Sequence, residues 1–217
     1  MANIKATAHF LTQFTGEETR FTPFDAKFTR YRGDGWQIVV PPHSYLRAVA
    51  LILARLKADD QALPTRIAIG IGPVNSLGGT DLRDASGLAF EYSGRALDAL
   101  TRDRDIAVRR GPEDPIAYLG RDQDRPRMNG SIAWSDAAIL ALFGFIAGRW
   151  TRLQAEAVAL ALENDTDKQR SIAEKLGISR QALNLRLTGA GYGPILTAIN
   201  LTTTYFADTS DEGAQKP

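Results

Sequence analysis

One change in the spacing of apolar residues constrains the fold of this chain more than any other feature. Before residue 111, short runs of alternating apolar and polar residues mix with helix-spaced segments. After residue 130, every apolar run recurs at three- and four-residue intervals. The stretch between is rich in Pro, Gly, Asp and Arg, with Pro112, Pro115, Gly120, Pro126 and Gly130, a composition that ends elements. The chain therefore reads as a mixed domain over 1–110, a linker over 111–130 and an all-helical domain over 131–207. The small polar tail, 208–217, is expected to be disordered. A length of 217 residues suits this division into two small domains.

Within the first domain, Phe24, Ala26, Phe28 and Arg30 alternate with Asp25, Lys27, Thr29 and Tyr31, the period of a strand. The turn Gly33-Asp34-Gly35 leads into Trp36-Gln37-Ile38-Val39-Val40, which Pro41-Pro42 stops, so a β-hairpin is expected. Residues 44–57 predict a helix with Ser44 as N-cap and Leu46, Val49, Ala50, Leu53 and Leu56 on one side. A central strand is expected at 66–72, a Gly-rich loop at 73–86, a helix at 88–101 and an edge strand at 103–110. Helices are expected at 135–148, 151–163, 167–176, 179–188 and 194–206, with Ser135 and Thr151 as N-caps.

Composition removes several chemistries. The chain has no cysteine, which excludes disulfides, thiolate metal sites and a cysteine nucleophile. Its two histidines, His9 and His43, lie far apart and leave little for a His-rich metal centre or a Ser-His-Asp relay. No apolar run is long enough to span a membrane, and the first residues lack the apolar core of a signal peptide, so a cytoplasmic location is expected. Balanced charge, 26 basic against 25 acidic residues, argues against a wholly basic nucleic-acid binder. Part of that balance comes from the tail, where Asp208, Asp211 and Glu212 stand against Lys216.

The sharpest local pattern is Gln169 to Leu187, which resembles a helix-turn-helix. Ala173 is small where two helices must touch. Gly177 suits a left-handed helix end. Ile178 plugs the turn, Ser179 caps the second helix, and Leu183 and Leu187 face inward. Arg180, Gln181, Asn184 and Thr188 fall on the opposite face, and Arg, Gln and Asn are the side chains suited to base edges. With Ser179 and Arg186 they form the candidate DNA-binding set. The bland alternative is a helical hairpin with a polar face. The segment is basic by a small margin, with Lys168, Arg170, Lys175, Arg180 and Arg186 against Asp165, Asp167 and Glu174. Modest phosphate attraction of this kind points to double-stranded DNA bound by a homodimer.

The hairpin Arg30 to Gln37 and the segments Arg66–Gly72 and Gly87–Arg95 together resemble the catalytic fold of class III nucleotidyl cyclases. That resemblance implies a ferredoxin-like α/β sandwich, here with a truncated first strand. It implies Asp34 as a metal carboxylate at the hairpin tip, and a nucleotide site drawn from Arg30, Asp34, Glu91 and Arg95. It would take Mg or Mn only if the site functions. The chain as a whole resembles the SatD-like family, which joins a cyclase-like domain with a Gly-Asp-x-x-Gln hairpin to a C-terminal helix-turn-helix. Gly33-Asp34-Gly35-Trp36-Gln37 and Asp84-Ala85-Ser86-Gly87-Leu88-Ala89-Phe90 carry that likeness.

Three departures argue against cyclisation. Only Asp34 is found of the two carboxylates that two-metal chemistry requires. Glu91 stands where a neutral Asn is expected. The first strand is expected to be missing, and codons for it just upstream of Met1 would raise the enzyme reading. The expected fold is α+β, a degenerate cyclase-like domain followed by a helix-turn-helix domain. The expected function is transcriptional regulation with no catalytic residues. A nucleotide-binding or cyclase-like enzyme is the alternative, and a protein-interaction adaptor a third class.

Overall fold

The structure, a computed structural model, describes residues 2–7, 20–21, 26–30, 35–60, 65–79, 82–98, 100, 104–110, 117–120, 133–163 and 169–212. The fold is mixed α and β. The strands are β1 (Ala2–Thr7), β2 (Arg20–Phe21), β3 (Ala26–Arg30), β4 (Gly35–Val40), β5 (Ile67–Ile71), β6 (Arg104–Arg110) and β7 (Ala117–Gly120). The helices are α1 (Tyr45–Ala58), α2 (Leu88–Asp98), α3 (Ala133–Gly148), α4 (Arg152–Glu163), α5 (Gln169–Lys175), α6 (Arg180–Gly189) and α7 (Tyr192–Glu212). The strands make one sheet in the order β2-β3-β4-β1-β5-β6-β7. All its neighbours are antiparallel except β5 and β6, which are parallel and joined through α2.

The first strand is therefore present and central, which corrects the expectation that it is truncated. β1 lies between β4 and β5, with Ala2 opposite Val40 and Ile71, and Thr7 opposite Gly35. Ala2, Ile4 and Ala6 alternate with Asn3, Lys5 and Thr7, but only Ile4 is large, so the period carries little apolar weight. Strand β6 is not an edge, since β7 pairs with its far side inside the expected linker.

Two compact units divide the chain differently from the expected boundary: 1–42 with 63–144, and 43–62 with 145–217. In the first unit, one face of the sheet buries Ala26, Phe28, Trp36, Ile38, Val40, Ile67, Ile69 and Ile71. Phe28 and Trp36 lie against one another with ring centroids 6.4 Å apart. Trp36 is thus core. The other face carries α2. Gly70 lets that helix approach, because a Cβ there would collide with the Ala89 carbonyl and lie 2.5 Å from the Ser93 amide nitrogen. Beside α2, residues 73–79 and 82–87 reach β3. The neck of this loop is closed by Ser76 and Ser86, whose amides each donate to the other's carbonyl, at 3.2 and 2.9 Å. Its tip is held by the Lys27 ammonium, which donates to the carbonyls of Leu77 (3.1 Å), Gly78 (3.5 Å) and Gly79. The Leu82 amide donates to Thr29 Oγ1 at 2.6 Å, and the Leu82 side chain is buried.

In the second unit, α1 packs along α4 and against α7. Arg47 donates twice to the Leu162 carbonyl, at 3.1 and 2.6 Å, and Arg55 pairs with Glu163. Tyr45 meets Phe206 edge-on at 6.0 Å, and Thr203 Oγ1 donates to the His43 carbonyl at 3.1 Å. Ser44 precedes α1, but the chain enters through a 3-10 turn, Pro42–Ser44, and its side chain makes no cap bond. Helix α3 starts at Ala133, so Ser135 lies inside its first turn rather than capping it. Helix α7 runs to Glu212, so the tail expected to be disordered from 208 is helical over its first part. Residues 213–217 lie outside the described residues.

Candidate nucleic-acid interface

Helices α4, α5 and α6 pack on one another, and each end has an identifiable cause. Thr151 caps α4 reciprocally: its amide donates to Gln154 Oε1 at 2.9 Å, while Gln154 N donates to Thr151 Oγ1 at 3.3 Å. Helix α5 ends in a left-handed turn at Gly177, whose φ is +63°. The Ile178 amide reaches back to the Ala173 carbonyl at 3.0 Å, and the Gly177 amide to Glu174 at 3.1 Å. These two bonds are the Schellman pair, and they satisfy carbonyls that a helix end otherwise leaves open. Ser179 then caps α6 by accepting the Ala182 amide at 3.1 Å. At the far end of α6, the buried Trp150 indole donates to the Ala190 carbonyl at 2.8 Å.

Burial selects which face of α6 remains. Leu183 and Leu187 are buried, as are Ile172 and Ala173 of α5. Ile178 is half-buried. Arg180, Gln181, Asn184 and Thr188 are exposed together, as expected from their spacing. Arg186 is not among them. It is half-buried and turned to α4, where Nη1 lies 3.9 Å from Glu156 Oε2. Spacing explains the miss, since Arg186 follows Leu185 by one position and so points a quarter-turn away from it. Leu185 is the exposed residue the sequence reading passed over; it lies four residues from Gln181 and three from Thr188. Ser179 serves the backbone. On α5, Arg170 pairs with Glu174 one turn on at 3.0 Å, in solvent.

Of the described nucleotide candidates, Arg30 does not come together with Glu91 and Arg95. Glu91 and Arg95 are both exposed on α2 and lie 3.9 Å apart as an i,i+4 pair. The buried side of α2 is Ala89, Tyr92, Ser93 and Ala96, so this pair faces away from the sheet. Register puts Gly70 in a row with Asn3, Val39 and Lys27, so α2 packs on the face of the sheet to which Lys27 belongs. Arg30 alternates onto the opposite face. Asp34 lies outside the described residues. Strand β1 contains no carboxylate, and among the described residues no group of three or more His, Asp or Glu could hold a metal ion. No described helix is long and apolar enough to cross a membrane.

Comparison with known proteins returns no matching family model, no matching curated protein and no matching solved structure.

Proposed function

We propose that the chain is a cytoplasmic, homodimeric, sequence-specific DNA-binding regulator, with α6 as its recognition helix. The observation that carries this reading is the combination at α5–α6. A Schellman turn at Gly177 and a serine cap at Ser179 fix the second helix. Its first turns leave Arg180, Gln181 and Asn184 in solvent. Guanidinium and amide groups there can form paired hydrogen bonds with guanine and adenine edges, each worth about 1–3 kcal/mol of discrimination. A helical hairpin needs no such residues on its outer face.

The sheet unit would supply pairing of subunits or ligand sensing. Its inner strands run β5-β1-β4-β3, each antiparallel to its neighbour, with a hairpin between β3 and β4. This order supports a ferredoxin-like core of the cyclase type. The nucleotide-enzyme alternative draws no support from the positions of Arg30, Glu91 and Arg95, and Mg or Mn would enter only through Asp34. A mobility-shift assay on duplexes selected from a random library tests the DNA reading. Arg180→Ala and Asn184→Ala are each expected to weaken specific binding roughly 10-fold or more. If the double variant binds the selected duplex as tightly as the wild type, the reading fails.

A further inference from the structure

The exposed face of α6 has an apolar centre that its hydrogen-bonding residues do not account for. Leu185 is 73% exposed, more than any other large apolar side chain among the described residues. Gln181, Asn184, Leu185 and Thr188 fall at i, i+3, i+4 and i+7, so the leucine is flanked by two amides and a hydroxyl on one helical face. The core does not use it, since Leu183 and Leu187 already fill the buried side of the helix. In a major groove the thymine methyl is the apolar group on a base edge, and Asn and Gln amides suit adenine. One A·T pair presents both.

We infer that Leu185 is a specificity-determining residue that packs against a thymine methyl in the half-site, beside an adenine read by Gln181 or Asn184. This rests on the DNA-binding reading and deepens it: the ligand is a duplex whose half-site places an A·T pair under the middle of α6. Arg180, one turn before Asn184, would face a flanking guanine.

The test uses the full chain and a duplex enriched from a random library, remade with deoxyuridine in place of thymidine at one A·T pair at a time. Uracil keeps every hydrogen-bonding group of thymine and lacks only the methyl. The wild type is expected to lose affinity about four-fold at the contacted position, the factor for one methyl group removed from water. Leu185→Ala is expected to bind the thymine duplex less tightly and to bind thymine and uracil duplexes equally. Because the residue is exposed, its thermal unfolding should match the wild type. A wild type that binds the enriched duplex but ignores uracil at every position overturns the inference and leaves the DNA reading standing. Leu185→Ala that retains the uracil penalty overturns it as well. A shift from dimer to monomer in sedimentation of Leu185→Ala assigns the residue to a subunit contact and also overturns it. A library from which no duplex is enriched overturns both readings.

Discussion

Gly70 and Gly177 are glycines for different physical reasons, and substitution separates them. At Gly70 the obstacle is backbone: a Cβ would meet the Ala89 carbonyl and the Ser93 amide of α2, neither of which can rotate away. Gly70→Ala should push α2 off β5 and cost about 2–3 kcal/mol in denaturant unfolding. At Gly177 nothing lies within 4 Å of the added atom, and only the φ of +63° is strained. Gly177→Ala should cost about 1 kcal/mol. Equal losses for the two variants would refute the close helix–strand approach. Of these, the sequence displayed Gly177 openly, because its Ile178-Ser179 neighbours and helical flanks define a local motif. Gly70 read only as a member of the expected central strand 66–72, because its partners are 19 and 23 residues away in α2. Arg186 and Leu185 divide in the same way: helical spacing told which residues share a face, but not which neighbouring carboxylate would take Arg186 in.

At the scale of elements, the segment 73–87 is the part least visible in the sequence. Residues 73–86 read as a Gly-rich loop; Ser76 and Ser86 close its neck, and Leu77, Gly78 and Gly79 are held by Lys27 of β3, a strand remote from β5 in the sheet order. Lys27 and Thr29 of β3 hold the loop by polar contacts, beside the buried side chain of Leu82. Loops held by few buried contacts open more readily than the elements around them. Lys27→Met keeps the stem of the side chain and removes the ammonium that the three carbonyls share. Limited trypsin digestion under native conditions should then cut after Arg83 roughly 10-fold faster than in the wild type, the factor for a hydrogen bond to a charged group. Unchanged cleavage would mean that the Lys27 ammonium is not needed to hold the loop. By contrast, β3, β4, β5, α1 and α2 lay within a few residues of their expected bounds. Their periodicity is local and strong: five consecutive buried residues in Gln37-Ile38-Val39-Val40 and its neighbour Trp36, or the apolar side of α1. Strand β1 alternates too, but two of its three apolar residues are alanines, so its pairing with β4 and β5 carries it more than its own pattern.

For the whole molecule, the compact units do not follow sequence order. Helix α1, flanked by β4 and β5 in the chain, belongs with α4 and α7. Helix α4 is buried on more than one side, through Ala155, Ala157, Val158, Ala159, Ala161 and Leu162, so α5 and α6 alone do not cover it. A fragment of residues 131–217, the expected helical domain 131–207 with its tail, lacks α1. It should therefore bind a hydrophobic dye and lose its near-ultraviolet circular dichroism while keeping helical content. Cooperative melting of that fragment with a native-like aromatic spectrum would show that α1 is dispensable. The sequence by itself determined the elements with strong local period, the left-handed turn and cap that fix α6, and the absence of cysteine chemistry, because each depends on residues within one or two turns of one another. Only the tertiary structure decided that a strand begins the chain, that α1 joins the C-terminal helices, and that Arg30 and the Glu91–Arg95 pair lie on different faces of the sheet. Those facts depend on pairing and burial between segments distant in sequence, for which a single chain carries no local signal.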